Sequence, residues 1–416
     1  MVLIRFDAEG DTVITPEMVQ AKLASYPEQS AYVECTHACR IAPLAFERVK
    51  IRAVYFSDDL VRIDEKAFHR CPLEFLYASL CEQLETIGKD AFRQSGVRQA
   101  HLNHARLHTI AERTFRSSLL EEVYLPATLQ RIQREAFYRT RLAHVDLSAC
   151  DRLTEIGSHA FRQTPLKTVE LPASISTVGW GAFAETLLEA VDLGACTRLT
   201  DLEGSTFADC RHLQDVVLPP RLQHIGNRTF RNTALQSCTF PSSLRSIGTH
   251  AFKDTLLKSV HLAACRHIDE YAFENVPCTT VVLPPSLRRL GRYAFRNTKI
   301  RELNIAHCRV VPTGLCDGCA DLTRVVLHNT QNIHRKAFQG CARLGMVFAP
   351  QVAYIEKWAF RGCPRLKQFY VTQPPSLHEQ AFGALPPKDL TFLNDDGDPV
   401  EMVEYDTDAQ VHHLRL

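Results

Sequence analysis

Apolar side chains return along this chain at a spacing of 21 to 24 residues. The clearest mark is a phenylalanine, usually preceded by alanine, at Phe46, Phe68, Phe92, Phe115, Phe137, Phe161, Phe183, Phe207, Phe230, Phe252, Phe273 and Phe295. It continues at Phe338, Phe360 and Phe382, with Cys316 in the intervening slot. Spacing this constant means one structural unit copied many times. The 416 residues alone would suggest two to three separate domains; the repeat replaces that expectation with an array.

Each unit carries the same apolar frame. One copy reads Leu120, Val123, Leu125, Leu129, Ile132, Ala136, Phe137, and the next Leu142, Val145, Leu147, Leu153, Ile156, Ala160, Phe161. The V-x-L portion alternates with period two, which predicts a short strand with one buried face. Pro126, Pro172, Pro219, Pro241 and Pro284 follow that strand in the shorter units, where a residue without an N–H ends a ladder and strands no buried donor. The rest of the unit is too short for a long helix. It predicts an irregular or single-turn segment, with Gly157, Gly179, Gly226, Gly248 and Gly291 admitting tight bends. One unit cannot bury a Phe, a Val and several Leu alone, whereas stacked units share a continuous apolar column. Strands about 4.8 Å apart then predict a curved rod on the order of 70 Å along its inner edge.

Segments such as Ala359-Phe360-Arg361-Gly362-Cys363-Pro364-Arg365-Leu366 and Leu218-Pro219-Pro220-Arg221-Leu222-Gln223-His224-Ile225-Gly226 closely resemble BspA-type leucine-rich repeats of the Treponema pallidum class. The resemblance runs over about residues 49 to 382. It implies a leucine-rich-repeat solenoid of the α/β repeat class, right-handed, with mostly short parallel strands on a concave face joined by irregular or short helical connections. It also implies a role in binding macromolecules; secreted bacterial relatives act as adhesins, and protists encode many intracellular copies.

The ends depart from the frame. Residues 1–30 are expected to cap the array, 31–385 to hold about 15–16 units of 21–24 residues, and 386–416 to form a C-terminal cap hairpin and tail. Val2-Leu3-Ile4-Arg5-Phe6 reads as a strand, and Pro16–Leu23 as a short helix with Thr15 as its N-cap. Past Phe382, Leu390–Leu393 and Val400–Tyr405 flank an Asn/Asp/Gly turn at 394–397, the pattern of a terminal hairpin.

Charge is balanced, 48 Lys+Arg against 47 Asp+Glu, which argues against a generally basic nucleic-acid binder. No stretch approaches the roughly 18 uninterrupted apolar residues of a membrane helix. The start, with Arg5 and Asp7, lacks the pattern of a signal peptide. Fifteen cysteines make an odd count for a secreted disulfide framework. A cytoplasmic protein is expected.

Catalytic and metal motifs are missing from the sequence. Cys316-Asp317-Gly318-Cys319 has the spacing of half a zinc site or a redox pair, but the repeat explains both members. Cys316 fills the Phe slot, and Cys319 stands three residues on, as do Cys71, Cys210, Cys341 and Cys363 after their own phenylalanines. A second series, Cys81, Cys150, Cys196, Cys265 and Cys308, recurs three residues past the strand's last apolar position. Packing as small hydrophobes accounts for both series. No enzyme activity, metal or cofactor is expected.

The informative positions flank the buried strand residue, because alternation turns them outward. Phe75, Tyr77, His101, Glu122, Tyr124, His144, Asp146, Glu170, Asp192 and Asp215 are the candidate binding residues. Five consecutive strands, from Glu122 through Asp146, Glu170 and Asp192 to Asp215, each offer a carboxylate. Aromatic anchors beside a charged band suit a protein-binding surface. The expectation is a non-catalytic scaffold holding a protein partner that carries basic groups, the alternative a surface adhesin. A third reading uses Arg93, Arg116, Arg162, Arg231, Lys253, Arg296 and Arg361, each directly after its Phe, as a basic stripe for RNA or anionic lipid. Such arginines more often lie over apolar side chains and pair with neighbouring acids.

Overall fold

The computed structural model describes residues 2–7, 13–25, 31–78, 80–305, 307–384, 386–394, 396–400, 403–405 and 411–413. It divides into two compact units, Met1–Pro219 and Pro220–Leu416. Both are parallel β-solenoids, with about 16 turns in all and almost no helix.

In the first unit the V-x-L segments form short parallel strands. Val2–Asp7, Ala31–Thr36, Ile51–Phe56, Phe75–Tyr77, Gln99–His101 and Glu122–Tyr124 make one six-stranded sheet in that order. His144–Asp146 pairs with Thr168–Glu170, and Ala190–Asp192 with Asp215–Val217, again in parallel. Each turn also has a second strand of two residues, which the periodicity does not announce. Thr109–Ile110, Arg131–Ile132, Glu155–Ile156 and Thr177–Val178 pair in parallel, and Ile110, Ile132, Ile156 and Val178 are their buried members. Two residues are too few to display alternation, so pattern alone leaves such a strand unseen.

The apolar column is continuous within each unit. In the first, the rings of Phe46, Phe68, Phe92, Phe115, Phe137, Phe161, Phe183 and Phe207 stack from turn to turn, with Phe161 and Phe183 at 5.4 Å and 2°. In the second, Phe230, Phe252, Phe273 and Phe295 form one run, and Phe338, Phe360 and Phe382 another. Cys316 is fully buried in its slot. The backbone follows the rings: the Phe161 N–H donates to the Ala182 carbonyl of the next turn at 2.8 Å, and Phe137 N–H to Ala160 at 2.8 Å. Each buried Phe contributes roughly 1.5–3 kcal/mol through burial alone.

The bends are made differently from the expectation. Two left-handed residues four apart bracket most of the phenylalanines, and most are not glycine: Glu135 and Arg139 around Phe137, His159 and Gln163 around Phe161, Tyr293 and Asn297 around Phe295. Gly157 and Gly291 serve another purpose. A Cβ on Gly157 would stand 2.7 Å from the Arg134 nitrogen, and one on Gly291 2.3 Å from the Asp269 carbonyl carbon. These glycines let successive turns approach, and the tight bends within each turn are carried by the left-handed residues.

Both ends extend the array. Val2–Asp7 pairs in parallel with Ala31–Thr36, and Phe6 meets Phe46 edge-on at 5.9 Å. The helix Pro16–Leu23 forms with Thr15 as N-cap, its hydroxyl accepting the Met18 N–H at 3.4 Å, and buries Val19. At the other end Thr391–Leu393 pairs in parallel with Gln368–Tyr370 as a further strand of that sheet. The reversal at 394–398 is present, with a Leu393–Pro399 bridge and the Val400 N–H on the Phe392 carbonyl at 2.9 Å. The terminal hairpin itself joins Val403–Tyr405 to Val411–His413, a segment expected to be tail; residues 401 and 402 lie outside the described residues.

Candidate functional site

The first-strand face is built by alternation. In His144–Asp146, Thr168–Glu170, Ala190–Asp192 and Asp215–Val217 the central valine is buried and both neighbours are exposed. Register then sorts the outward residues into two columns. Gln99 stands beside Glu122 and His101 beside Tyr124; His144 beside Thr168 and Asp146 beside Glu170; Ala190 beside Asp215 and Asp192 beside Val217. Asp146, Glu170 and Asp192 therefore occupy the third position of their strands, and Glu122 and Asp215 the first. The single acidic series of the sequence is thus split, with three carboxylates at the third position of their strands and two at the first.

Toward the N-terminus the third-position column passes through aromatic residues, preceded by the ion-paired Arg5 and Glu34. Tyr55 stands beside Tyr77 and Tyr77 beside His101. Tyr77 is placed here by register alone. The His101 and Tyr124 rings stack at 4.8 Å and 13°. Phe75 lies in the other column, half-buried beside Gln99. Tyr55, 41% exposed, was not among the sequence candidates; its signal was the alternation of Val54, Tyr55 and Phe56 one unit earlier.

Local hydrogen bonds hold several of these groups. Asp146 accepts the hydroxyl of Ser148 at 2.6 Å and its backbone N–H at 2.8 Å, and these bonds, the hydroxyl foremost, hold its carboxyl below the usual range. Asp192 accepts the Gly194 N–H at 2.7 Å, and Glu122 the Gln99 amide at 3.0 Å. His144 and the Thr168 hydroxyl lie 2.8 Å apart. Among the described residues none of the five band carboxylates forms an ion pair.

The acids near the phenylalanine turns are different. Glu135 pairs with Arg116, Glu185 with Arg162 at 2.6 Å, and Glu274 with Lys253 at 2.7 Å and Arg296 at 3.3 Å. Asp90 meets Arg93 at 3.3 Å and Arg113 at 3.4 Å. The post-Phe cations are thus largely consumed inside the fold.

The cysteines face inward. Cys71, Cys210, Cys319, Cys341 and Cys363 are buried, and each thiol donates to a backbone carbonyl, Cys210 to Phe183 at 3.1 Å and Cys319 to Phe295 at 3.0 Å. Burial pushes the Cys71 thiol up to about 12 and that of Cys210 up to about 11. Cys316 moves up for the same reason. The C-x-x-C is two positions of this packing pattern. Among the described residues no group of His, Cys, Asp or Glu is arranged to hold a metal, and no helix is long and apolar enough to cross a membrane.

The family model for the BspA type leucine-rich repeat region matches this chain over residues 40–151, 147–258 and 246–367, in six copies. Among solved structures, a leucine-rich repeat protein from Bacteroides ovatus is 18% identical, with 94% of this chain and 92% of that one covered at a TM-score of 0.54. A leucine-rich repeat protein from Eubacterium ventriosum is 17% identical, covering 76% and 86% at 0.43. The pneumococcal vaccine antigen PcpA is 18% identical, covering 82% and 79% at 0.36. The first of these shares the fold. Curated proteins yield no match.

Proposed function

We propose that this chain, which belongs to the BspA-type leucine-rich repeat family, is a non-catalytic scaffold that holds a basic protein partner against the first-strand face of its first unit. The family carries a protein-interaction or adhesin-like role. The observation that supports the narrower reading is the contrast between two sets of acids. Those beside the phenylalanine turns are neutralised by the chain's own arginines and lysines, while Glu122, Asp146, Glu170, Asp192 and Asp215 lie exposed without a cation of their own. Charges left unpaired on a regular lattice attract and orient a partner of opposite sign. Tyr55, His101 and Tyr124 beside them supply the amphipathic area that anchors interfaces.

An open strand face offers no pocket in which a general acid and base could converge on a substrate. The post-Phe stripe is a weaker candidate for RNA or lipid, because Arg93, Arg116, Arg162, Lys253 and Arg296 already face carboxylates. Thiols spent on backbone carbonyls fit a reducing compartment, which supports a cytoplasmic location.

The test reverses the acidic column. Affinity purification with mass spectrometry compares the native chain with an Asp146→Lys, Glu170→Lys, Asp192→Lys variant. All three side chains are exposed, but Asp146 and Asp192 also bond the turns at Ser148 and Gly194. Melting is therefore followed alongside capture, and an Asp146→Asn, Glu170→Gln, Asp192→Asn variant, which keeps acceptors at those turns, serves as the folded control. Partners with basic segments should disappear from the lysine variant; unchanged recovery would remove the proposal.

A further inference from the structure

Two adjacent turns of the second unit collect positive charge around an indole. The Arg335 guanidinium lies 4.6 Å from the Trp358 ring centroid, Lys357 Nζ 4.8 Å, the Arg361 guanidinium 5.3 Å and Lys336 Nζ 5.7 Å. The ring is fixed from the following turn. Its N–H donates to Gln380 Oε1 at 3.2 Å, and the Trp358 backbone N–H donates to the Gln380 carbonyl at 2.8 Å.

The ring's quadrupole attracts each cation separately, but it does not cancel their charge, and four like charges around one ring repel one another. The neighbouring acids form no ion pair with these four cations. Glu356 accepts the Arg335 backbone N–H at 2.7 Å and stands 3.9 Å from His334. Asp317 faces Arg296 at 3.6 Å and feels Lys336 only from beyond pairing distance, and Glu379 accepts the Gln380 amide at 3.3 Å. Among the described residues none of the four cations has a carboxylate within ion-pairing distance. Arg361 differs in this from Arg116 and Arg162, which stand at the same place in their own turns and are paired.

We propose that this cluster binds a ligand bearing two or more closely set phosphate or sulfate groups. Guanidinium and ammonium groups together present many donors to tetrahedral oxyanions, and Arg can engage them in bidentate fashion. Cations already lie over the indole, so a nucleic-acid base or a sugar ring gains no free aromatic face to stack on. Recognition rests on charge and donors alone. The site uses only residues of the second unit and stands independently of the acidic face of the first.

Two tryptophans occur in the chain, so Trp180→Phe leaves Trp358 as the fluorescent reporter. Titration of that variant with inorganic tripolyphosphate at low salt should change the emission saturably, and sulfate ion at equal ionic strength should not. Calorimetry on the native chain gives the second reading. A fully sulfated heparin oligosaccharide is titrated in parallel: tighter binding of heparin assigns a sulfated source, tighter binding of tripolyphosphate a phosphate one. Arg335→Gln with Lys357→Gln should weaken binding at least tenfold at an unchanged melting temperature. Should that pair disturb the turn, Lys336→Gln alone should weaken it about threefold. The absence of saturable binding of both probes by calorimetry, or native affinity in the folded variants, would overturn the proposal.

Discussion

The Cys210 thiol donates to the carbonyl oxygen of Phe183, 3.1 Å away in the preceding turn. The same place in other turns holds threonine. Thr140, Thr164, Thr186, Thr233 and Thr298 each donate to the carbonyl of the phenylalanine three residues earlier in their own turn. Where the two meet, Thr186 Oγ1 and Cys210 Sγ are 3.2 Å apart, as are Thr298 Oγ1 and Cys319 Sγ. Both residue types answer one need. The carbonyl beside the buried ring is shut off from water, and a hydroxyl or thiol supplies a donor in little volume.

These thiols make stability fall in alkali. Burial raises Cys71 to about 12 and Cys150, Cys210, Cys265 and Cys308 to about 11, against about 8.5 in the unfolded chain. Between these values the unfolded state binds fewer protons, so the unfolding free energy declines as pH rises. The urea midpoint should hold steady up to about pH 8, then drop through pH 9 to 11. Cys210→Thr should make the decline shallower; a flat midpoint to pH 11 would contradict the buried thiols.

Native-state alkylation should be selective. Cys39 is half-buried and should react first with iodoacetamide. Cys238 is also half-exposed as a residue, but burial raises its thiol to about 12, so it should lag. Cys71, Cys210 and Cys319 should stay unmodified until urea opens the fold, as read by peptide mass spectrometry.

Phe161→Ala should cost about 3–5 kcal/mol, in the range of other buried Phe truncations. It removes contacts with Phe137 at 5.1 Å and Phe183 at 5.4 Å together. Nearest-neighbour coupling should concentrate the loss in adjacent turns, visible as faster amide exchange there. A change below about 1 kcal/mol would deny the column its role as core.

Two glycines should rank the same replacements differently. Gly340 has φ +73 with only ordinary contacts for a Cβ, so Gly340→Ala should cost about 1–2 kcal/mol from backbone strain. Gly340→Asn should cost less, since Asn297 and Asn275 hold the same conformation in their turns. At Gly291 a Cβ would stand 2.3 Å from neighbouring backbone, and Asn should be no better than Ala. Equal losses for Asn and Ala at Gly340 would refute the distinction.

If the acidic column holds its partner by charge, the complex should release in salt. Screening shortens from about 10 Å at 0.1 M to about 3 Å at 1 M. Elution of the captured partner between these concentrations should track loss of Asp146, Glu170 and Asp192; a salt-resistant complex would point to the aromatic positions instead.

The period, the phenylalanine column and the buried valines were legible in the chain itself, because a stacked unit must bury the same positions each time and burial leaves a periodic trace. Val145 inside and His144 and Asp146 outside follow from strand alternation alone. The helix at Pro16–Leu23 was legible for a local reason, the Thr15 cap and the proline at its start. Other features arise between turns, from residues some twenty positions apart that no local pattern joins. Register put Asp146 beside Glu170 and set Glu122 and Asp215 in the other column. Stacking of turns brought Arg335 and Lys336 to Trp358, made the two-residue strands, and gave non-glycine residues such as Glu135 and Tyr293 their left-handed backbone. Sequence determined which side chains must be dry; lateral contact between neighbouring turns decided which of the wet ones stand together.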